Sequence, residues 1–360
     1  MSASLPLAPG STIGILGGGQ LGRMLALAAA RLGFDVVVLE READSPAGRT
    51  ASQLIVADYG DQAALGQLAS VTGLVTYEFE NVPAASVAWL AAHGVEVAPG
   101  SRALAVAQDR FEEKTFLNAN GAPTVAFAPA DTPDQAVAAV ARIGAPALMK
   151  TRREGYDGKG QCWIEHAPDA AAAFEALGGV PVIVEAAANF VRELSVIAAR
   201  GRDGSTAVYP LAENHHEHGI LRRSLAPARA TPALADQAER IAARVLAGLD
   251  YVGVIGIELF EMADGRLLVN EIAPRVHNTG HWTQDGCEVD QFEQHIRAVA
   301  GWPLGPTRAI AQVEMLNLLG EEADAWAKYA AEPETRLHLY GKRGAKPGRK
   351  MGHINRVKPL

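Results

Sequence analysis

Through about residue 100 the chain alternates short β-branched apolar runs with alanine-rich stretches at helical spacing. The runs at 13–16, 36–39, 53–56, 74–77 and 95–98 read as buried strands, and strand–helix alternation of this kind builds a doubly wound parallel sheet. Ligands of such sheets lie beyond the carboxyl ends of the strands. The turn after the first strand, Glu40 at the end of the second and the segment "YEFEN" at 77–81 should therefore share one crevice. A helix-bearing connection follows, closed by Gly121 and Pro123. Next, the strand patterns "PALMK", "GQCWIEH" and "PVIVEA" enclose the polar loop "TRREGYDGKG" and an alanine-rich helix. From Glu193 the period changes to that of hairpins, with turns expected at Asp203-Gly204 and Asp264-Gly265.

The first strand runs into Gly17, Gly19 and Gly22 at G-x-G-x-x-G spacing, and the second ends on Glu40, as at the opening of a nicotinamide dehydrogenase. The motif alone does not decide. Glycines at a strand-to-helix turn serve any unit that brings backbone close to a ligand, and a helix N-terminus accepts any phosphate. Composition narrows the field: 360 residues, 48% hydrophobic, provide material for two or three packed domains. A formal charge of -8 argues against a nucleic-acid or anionic-membrane binder, so a cationic site must be local. Cys162 and Cys287 support neither a disulfide framework nor a zinc site, and suit a reducing compartment. The opening "MSASLPLAPG" lacks a basic n-region, and no apolar window of ~18 residues follows. A cytoplasmic location is expected.

The second hairpin holds the most informative chemistry. A two-residue turn at Asp264-Gly265 places Glu258 directly opposite Glu271, with Cβ atoms roughly 5 Å apart. Their neighbours are overwhelmingly apolar, and two carboxylates there repel unless a cation sits between them. Magnesium is the natural occupant, shared with substrate phosphates, and Asn270 adjoins to add an oxygen. Lys150 at a strand end, followed by Gly155, Gly158, Lys159 and Gly160, provides the donors, charge and freedom of a mobile cover over phosphates. Lys342, Arg349 and Lys350 form a basic knot in an acidic chain, suited to a phosphate monoester, although a solvated basic tail remains the plain alternative. His215 and His218, either side of His216, could suggest a metal cluster but fit no ligand spacing and read as exposed loop residues.

The strings "GGGQLGRML", "GYDGKGQ", "VIVEAAANFVRELSV" and "NEIAPRVHNTGHWTQ" resemble the ATP-grasp superfamily and, within it, the 5-(carboxyamino)imidazole ribonucleotide synthases of purine biosynthesis. The likeness spans nearly the whole chain. It implies an α/β and α+β molecule: a Rossmann-like pre-ATP-grasp domain at 1–108, a lid subdomain at 109–190, an ATP-grasp core at 191–305 and a small antiparallel C-terminal domain at 306–360. The implied reaction joins bicarbonate to 5-aminoimidazole ribonucleotide at the expense of ATP, with a homodimer as the implied assembly. On this resemblance the glycine turn faces the ribonucleotide. Arg110 and Lys150 point to the ATP phosphates, and the loop Gly155, Tyr156, Asp157, Gly158, Lys159, Gly160 and Gln161 closes over them. Glu185, Ala186, Ala187 and Ala188 form the adenine hinge, Glu193 takes the ribose hydroxyls, and His216, Asn270 and Glu271 complete the site. Glu258 and Glu271 become the magnesium ligands. Likeness to the sister enzyme that formylates glycinamide ribonucleotide adds Gln20, Leu21, Glu78 and Asn278 to the ribonucleotide site, beside Lys342, Arg349 and Lys350.

In that chemistry bicarbonate attacks the γ-phosphorus, and a lid must exclude water from the short-lived carboxyphosphate. Arg275 and His277, just past the magnesium strand, would hold bicarbonate. Tyr156 and Asp157 resemble the family pair that meets the exocyclic amine, with Asp157 as the proton acceptor or, alternatively, a turn residue making a local bond. Other ATP-grasp ligases, a nicotinamide oxidoreductase and a catalytically silent nucleotide-binding scaffold remain open alternatives.

Overall fold

The computed structural model describes residues 5–155 and 158–360. Three sheets carry the chain. β1 (Thr12–Leu16), β2 (Asp35–Glu40), β3 (Gln53–Val56), β4 (Leu74–Tyr77) and β5 (Glu96–Val97) form a wholly parallel sheet in the order β3-β2-β1-β4-β5. The expected fifth strand is cut to two residues, and Pro99, which has no N–H to give a ladder, stands just beyond it. β6 (Phe127–Ala130), β7 (Ala147–Thr151), β8 (Gln161–Ile164) and β9 (Val182–Ala186) make an antiparallel sheet, β6-β9-β7-β8. Two helices lie against it, and their buried alanines, Ala136, Ala139, Ala170 and Ala173, let helix and sheet approach closely.

The remaining strands share one antiparallel sheet. They are β10 (Phe190–Arg200), β11 (Thr206–Val208), β12 (Ala212–Glu217), β13 (Ile220–Ala226), β14 (Gly253–Met262), β15 (Leu267–Ala273), β16 (Ala311–Leu319), β17 (Thr335–Leu339) and β18 (Lys350–Pro359). Their order is β15-β14-β10-β12-β13-β16-β18-β17, with β11 paired to β10. The C-terminal strands thus extend the sheet that holds the acidic hairpin. No helix among the described residues is long and apolar enough to cross a membrane.

Both hairpins turn at Asp-Gly, but neither turn has two residues. Met262 N donates to Arg266 O at 2.9 Å and Gly201 N to Ser205 O at 2.9 Å, leaving three-residue loops. In each, the aspartate Oδ1 accepts the N–H two residues on at 3.0 Å, and the glycine takes a left-handed conformation at φ 79° or 83°. That side-chain bond draws the loop into a type I turn closed by a left-handed glycine. A longer loop would slide Glu258 off Glu271 by one residue. The pairing survives because β15 carries a bulge: Glu258 faces Glu271, whereas Leu259 faces Val269, so Asn270 is the inserted residue.

The parallel sheet and the large sheet are joined by the helix Gln291–Ala300. Its fully buried His295 accepts the Val254 N–H on Nδ1 at 3.1 Å and meets Thr76 Oγ1 through Nε2 at 2.8 Å. Burial pushes its pKa down to about 3, and buried His281 and His353 are likewise driven well below the ordinary value. Because the folded state refuses protons that the unfolded chain binds below about pH 6.5, stability is full above that pH and is lost as pH falls through it. We expect the melting temperature to drop steadily from about pH 7 to about pH 5. His295→Gln should flatten that slope while lowering the plateau; an unchanged slope in the variant would remove His295 from the effect.

Candidate active site

The three sheets surround a cavity of about 650 Å³. Its wall gathers Gln20, Leu21 and Glu78 from the first sheet and Lys150, Gly155, Gly158, Lys159 and Gln161 from the second. From the third come Glu193, His216, Glu258, Asn270 and Glu271, joined by Arg110, Arg275, His277, Asn278 and Lys350. Most of the residues singled out from sequence therefore converge on one space. Glu185 lies behind the wall, and Ala187 and Ala188, with Asn189, form the covalent link from β9 to β10. Gly160, at φ 69°, helps return the loop to β8. Ala186 is already committed, its N–H donating to Ala126 O at 2.8 Å. Tyr156 and Asp157 fall outside the described residues.

At the glycine turn the chain answers its own donors. Gly18 N–H donates to Glu40 Oε2 at 2.5 Å, and Gly19 and Gly22 donate to the two oxygens of Glu78 at 2.6 and 2.7 Å. Gly17 stands at φ 106°, and a Cβ there would lie 2.3 Å from Glu78 Cγ, which requires glycine. A pyrophosphate on this helix end would meet two carboxylates, and Glu40, also bonded to Tyr59 Oη at 2.7 Å, faces inward. Both contacts that a dinucleotide uses are thus taken by the protein.

On the acidic hairpin, Asn270 Nδ2 reaches Glu258 Oε2 at 3.4 Å. Burial and the Glu271 charge push the Glu258 carboxyl up, whereas Glu271, against its own burial, is held low by Arg110 and Lys150. Arg110 Nη1 donates to Glu271 Oε2 at 3.0 Å, and Arg110 Nη2 to Gly155 O at 2.7 Å, tying the acidic strand to the loop above it. Two opposed carboxylates driven to opposite protonation states are what a shared site shows when only protein charges balance it. This donor set fits a hard divalent cation.

Behind the hairpin lies a layer of buried ionisable side chains on the helix Arg110–Ala119. Glu113 is 2% and Lys114 1% exposed. Glu113 Oε1 accepts the Ile272 N–H at 2.6 Å and Lys114 Nζ donates to Asn270 O at 2.9 Å, so adjacent side chains grip the two sides of the bulge. Lys114 also pairs with Glu185 Oε1 at 3.4 Å, and the other oxygen of Glu185 receives Lys150 at 2.9 Å. The sequence reading missed Glu113 and Lys114. Their spacing, three and four residues beyond Arg110, puts all three on one helix face and was the available signal.

The loop between β7 and β8 is anchored at its base, where Arg152 meets Asp109 through two bonds of 2.9 Å. At its tip Gly158 packs on the β12–β13 turn, where a Cβ would lie 3.2 Å from His218 O. Apolar side chains line the cavity from two sheets: Leu148 and Trp163 from the second, and Phe190, stacked on Phe260 at 4.6 Å, from the third. A planar base suits such a lining. Beside it His216 pairs with Glu193, which outweighs the effect of burial and raises the imidazole pKa. His215, expected in a loop, instead lies within β12 opposite Arg223, where strand pairing claims its backbone, and its ring pairs with Glu213 at 3.3 Å; His218 occupies the turn as expected.

Past the acidic strand, Arg275 is held by both oxygens of Glu80. Burial, reinforced by Arg275, pushes His277 down to about 3, so its ring is neutral. Both polar side-chain atoms of Asn278 are buried and lack a partner among the described residues, although Asn278 lines the cavity. A buried amide left so is costly unless a ligand satisfies it. Of the basic knot only Lys350 is in the wall. Lys342 Nζ donates to Lys350 O at 2.9 Å, and Arg349 to the carbonyls of Arg343 and Gly344 at 2.7 and 3.0 Å, so these two shape the loop that presents Lys350.

Comparison with known proteins agrees with this geometry. Residues 11–108 match the ribonucleotide synthetase preATP-grasp domain, 115–292 the ATP-grasp domain, and 314–359 the phosphoribosylaminoimidazole carboxylase C-terminal domain. The N5-carboxyaminoimidazole ribonucleotide synthase of Brucella melitensis is 48% identical over 355 residues, 98% of each chain. A solved ADP complex of an N5-carboxyaminoimidazole ribonucleotide synthetase superposes with a TM-score of 0.94 at 41% identity, covering 98% of this chain and 93% of that one. The Aspergillus clavatus N5-carboxyaminoimidazole synthase, solved with ADP and 5-aminoimidazole ribonucleotide, gives 0.91 at 32% identity, with coverage of 98% and 95%.

The grip on the bulge can be tested separately from activity. Burial and the Glu271 charge push Glu113 up to about 8, so near neutral pH it is mostly the uncharged acid and glutamine imitates it. In urea unfolding of the ligand-free chain, Glu113→Gln should cost under about 1 kcal/mol. Glu113→Leu, which strands the Ile272 N–H, should cost about 1–3 kcal/mol. Equal losses would show that the acceptor oxygen is not what matters.

Proposed function

The chain belongs to the N5-carboxyaminoimidazole ribonucleotide synthase family of ATP-grasp proteins, and on that premise we propose the reaction its cavity performs. ATP, bicarbonate and 5-aminoimidazole ribonucleotide give the N5-carboxylated ribonucleotide, ADP and phosphate. What carries the reading is a single cavity in which an opposed carboxylate pair, Arg110, Lys150 and Arg275 stand across from the glycine-turn crevice. Phosphoryl transfer asks a protein for position and charge neutralisation, and these groups provide both.

ATP lies with its base against Leu148, Trp163, Phe190 and Phe260 and its phosphates toward Lys150 and Arg110. Glu258 and Glu271 would hold magnesium, which when bound neutralises charge building on the transferring phosphoryl group. Arg275 and neutral His277 hold bicarbonate, one oxygen of which attacks the γ-phosphorus as ADP departs. The carboxyphosphate so formed breaks down to carbon dioxide and phosphate under the closed loop. The exocyclic amine then bonds to carbon dioxide and gives up a proton, for which we assign Asp157, with Tyr156 beside it. Gln20, Leu21, Glu78 and Asn278 orient the ribonucleotide, and Lys350 meets its phosphate, with Lys342 and Arg349 bracing the loop behind it. We further propose that the protein works in the cytoplasm, as a homodimer.

The purified chain should release ADP rapidly only when bicarbonate and 5-aminoimidazole ribonucleotide are both present. Stimulation by glycinamide ribonucleotide with formate instead, or saturable binding of a nicotinamide dinucleotide, would overturn the reading. Glu271→Gln should lower kcat by about a hundredfold or more in the same assay. A parent-like rate in that variant would defeat the assignment of the cation seat.

A further inference from the structure

The segment after β4 touches two places that the reaction uses separately. Glu78 holds the head of the first helix through Gly19 and Gly22, in the crevice assigned to the ribonucleotide. Two residues on, Glu80 reaches Arg275, 195 positions away in sequence, with one carboxylate oxygen on Nε and the other on Nη2, the latter at 3.1 Å. The backbone at Glu80 and just beyond it is held as well, because Gln108 Nε2 donates to both Glu80 O and Val82 O at 2.7 Å. Tyr77 Oη, just before the segment, is buried without a hydrogen-bond partner among the described residues.

A guanidinium has five N–H groups in a fixed plane. Glu80 takes one on Nε and one on Nη2, and Val276 O takes one on Nη1 at 3.1 Å. Among the described residues two remain, and Arg275 stands in the cavity wall. A side-on carboxylate of this kind fixes the plane and so aims what is left over. We infer that Glu80 is a positioning residue: it orients Arg275 toward bicarbonate and links that subsite to the ribonucleotide crevice through the segment it shares with Glu78. The inference rests on the reaction proposed above. Its physical content is that one short rigid stretch of chain registers two substrates against each other, so that carbon dioxide is released where the amine waits. Glu80 itself touches Arg275, and its effect on substrate passes through that side chain.

The test uses the full-length chain and steady-state ADP release, with bicarbonate varied at saturating ATP and ribonucleotide and, in a second series, ATP varied at saturating bicarbonate and ribonucleotide. Glu80→Ala should raise the KM for bicarbonate about tenfold and leave the KM for ATP within about twofold. Glu80→Gln, which keeps one acceptor oxygen, should raise it by less, and it carries the test if the alanine variant does not fold. In an Arg275→Lys background, which lacks the side-on pair of donors, the added effect of Glu80→Gln should fall below about twofold. A bicarbonate KM unchanged in both single variants overturns the inference, as does a parallel rise in the ATP and bicarbonate values. So does full additivity with Arg275→Lys. A parent chain without bicarbonate-dependent turnover of the ribonucleotide would instead fail the proposed reaction itself, a result the variants are not needed to see.

Discussion

One inserted residue in an edge strand decides where the charges of the cavity point. With Asn270 bulged out of β15, Glu271 comes level with Glu258, and the backbone groups on the outer side of the strand are offered to the helix Arg110–Ala119. An exposed sheet edge is a liability that proteins cover. Here the cover is chemical as well as steric, because Glu113 and Lys114 satisfy the strand while Arg110, one turn earlier, pairs with Glu271 itself. Strand, helix and acidic pair thus hold one another in register, and loss of the bulge would turn one of the two carboxylates to the opposite face.

The same helix explains how so much charge is tolerated indoors. Buried ions are costly singly and acceptable in closed, hydrogen-bonded sets. Glu185 is shared by Lys114 and Lys150, Glu271 by Arg110, and Glu80 by Arg275. Lys114 is nearly sealed and also bound to a backbone carbonyl, which makes it a fixed strut. Lys150 lies at the cavity wall, so an arriving phosphate can share it without uncovering Glu185, which keeps its other lysine. The ligand-free site is internally neutralised, yet its outer partners stay accessible.

Much of this was legible in the chain because it was local. The patterns at 53–56 and 74–77 coincide with β3 and β4, since β-branched runs with turn residues on either side leave few alternatives. The opposition of Glu258 and Glu271 was also legible, but through two compensating errors. The expected turn was one residue too short, and a bulge that "VNE" does nothing to announce restored the register. The segment "YEFEN" was placed at the crevice, but the role of Glu80 within it was not legible, because its partner Arg275 is 195 residues away. The glycine turn by itself left its ligand open for a similar reason: its spacing is visible, while the carboxylates that fill it arrive from β2 and from the end of β4.

That the last three strands continue the acidic sheet has a mechanical consequence. The Glu258–Glu271 pair on β14 and β15, the Glu193–His216 pair on β10 and β12, and Lys350 at the start of β18 all ride on one hydrogen-bonded framework, whose strand register fixes their spacing. The small four-stranded unit stands outside that ladder: its strands pair only with one another, and Arg110 through Gly155, and Lys114 and Lys150 through Glu185, refer it to the acidic strand. Groups that meet different substrates in the proposed reaction thus share one backbone ruler, against which the cover between β7 and β8 is set by side chains.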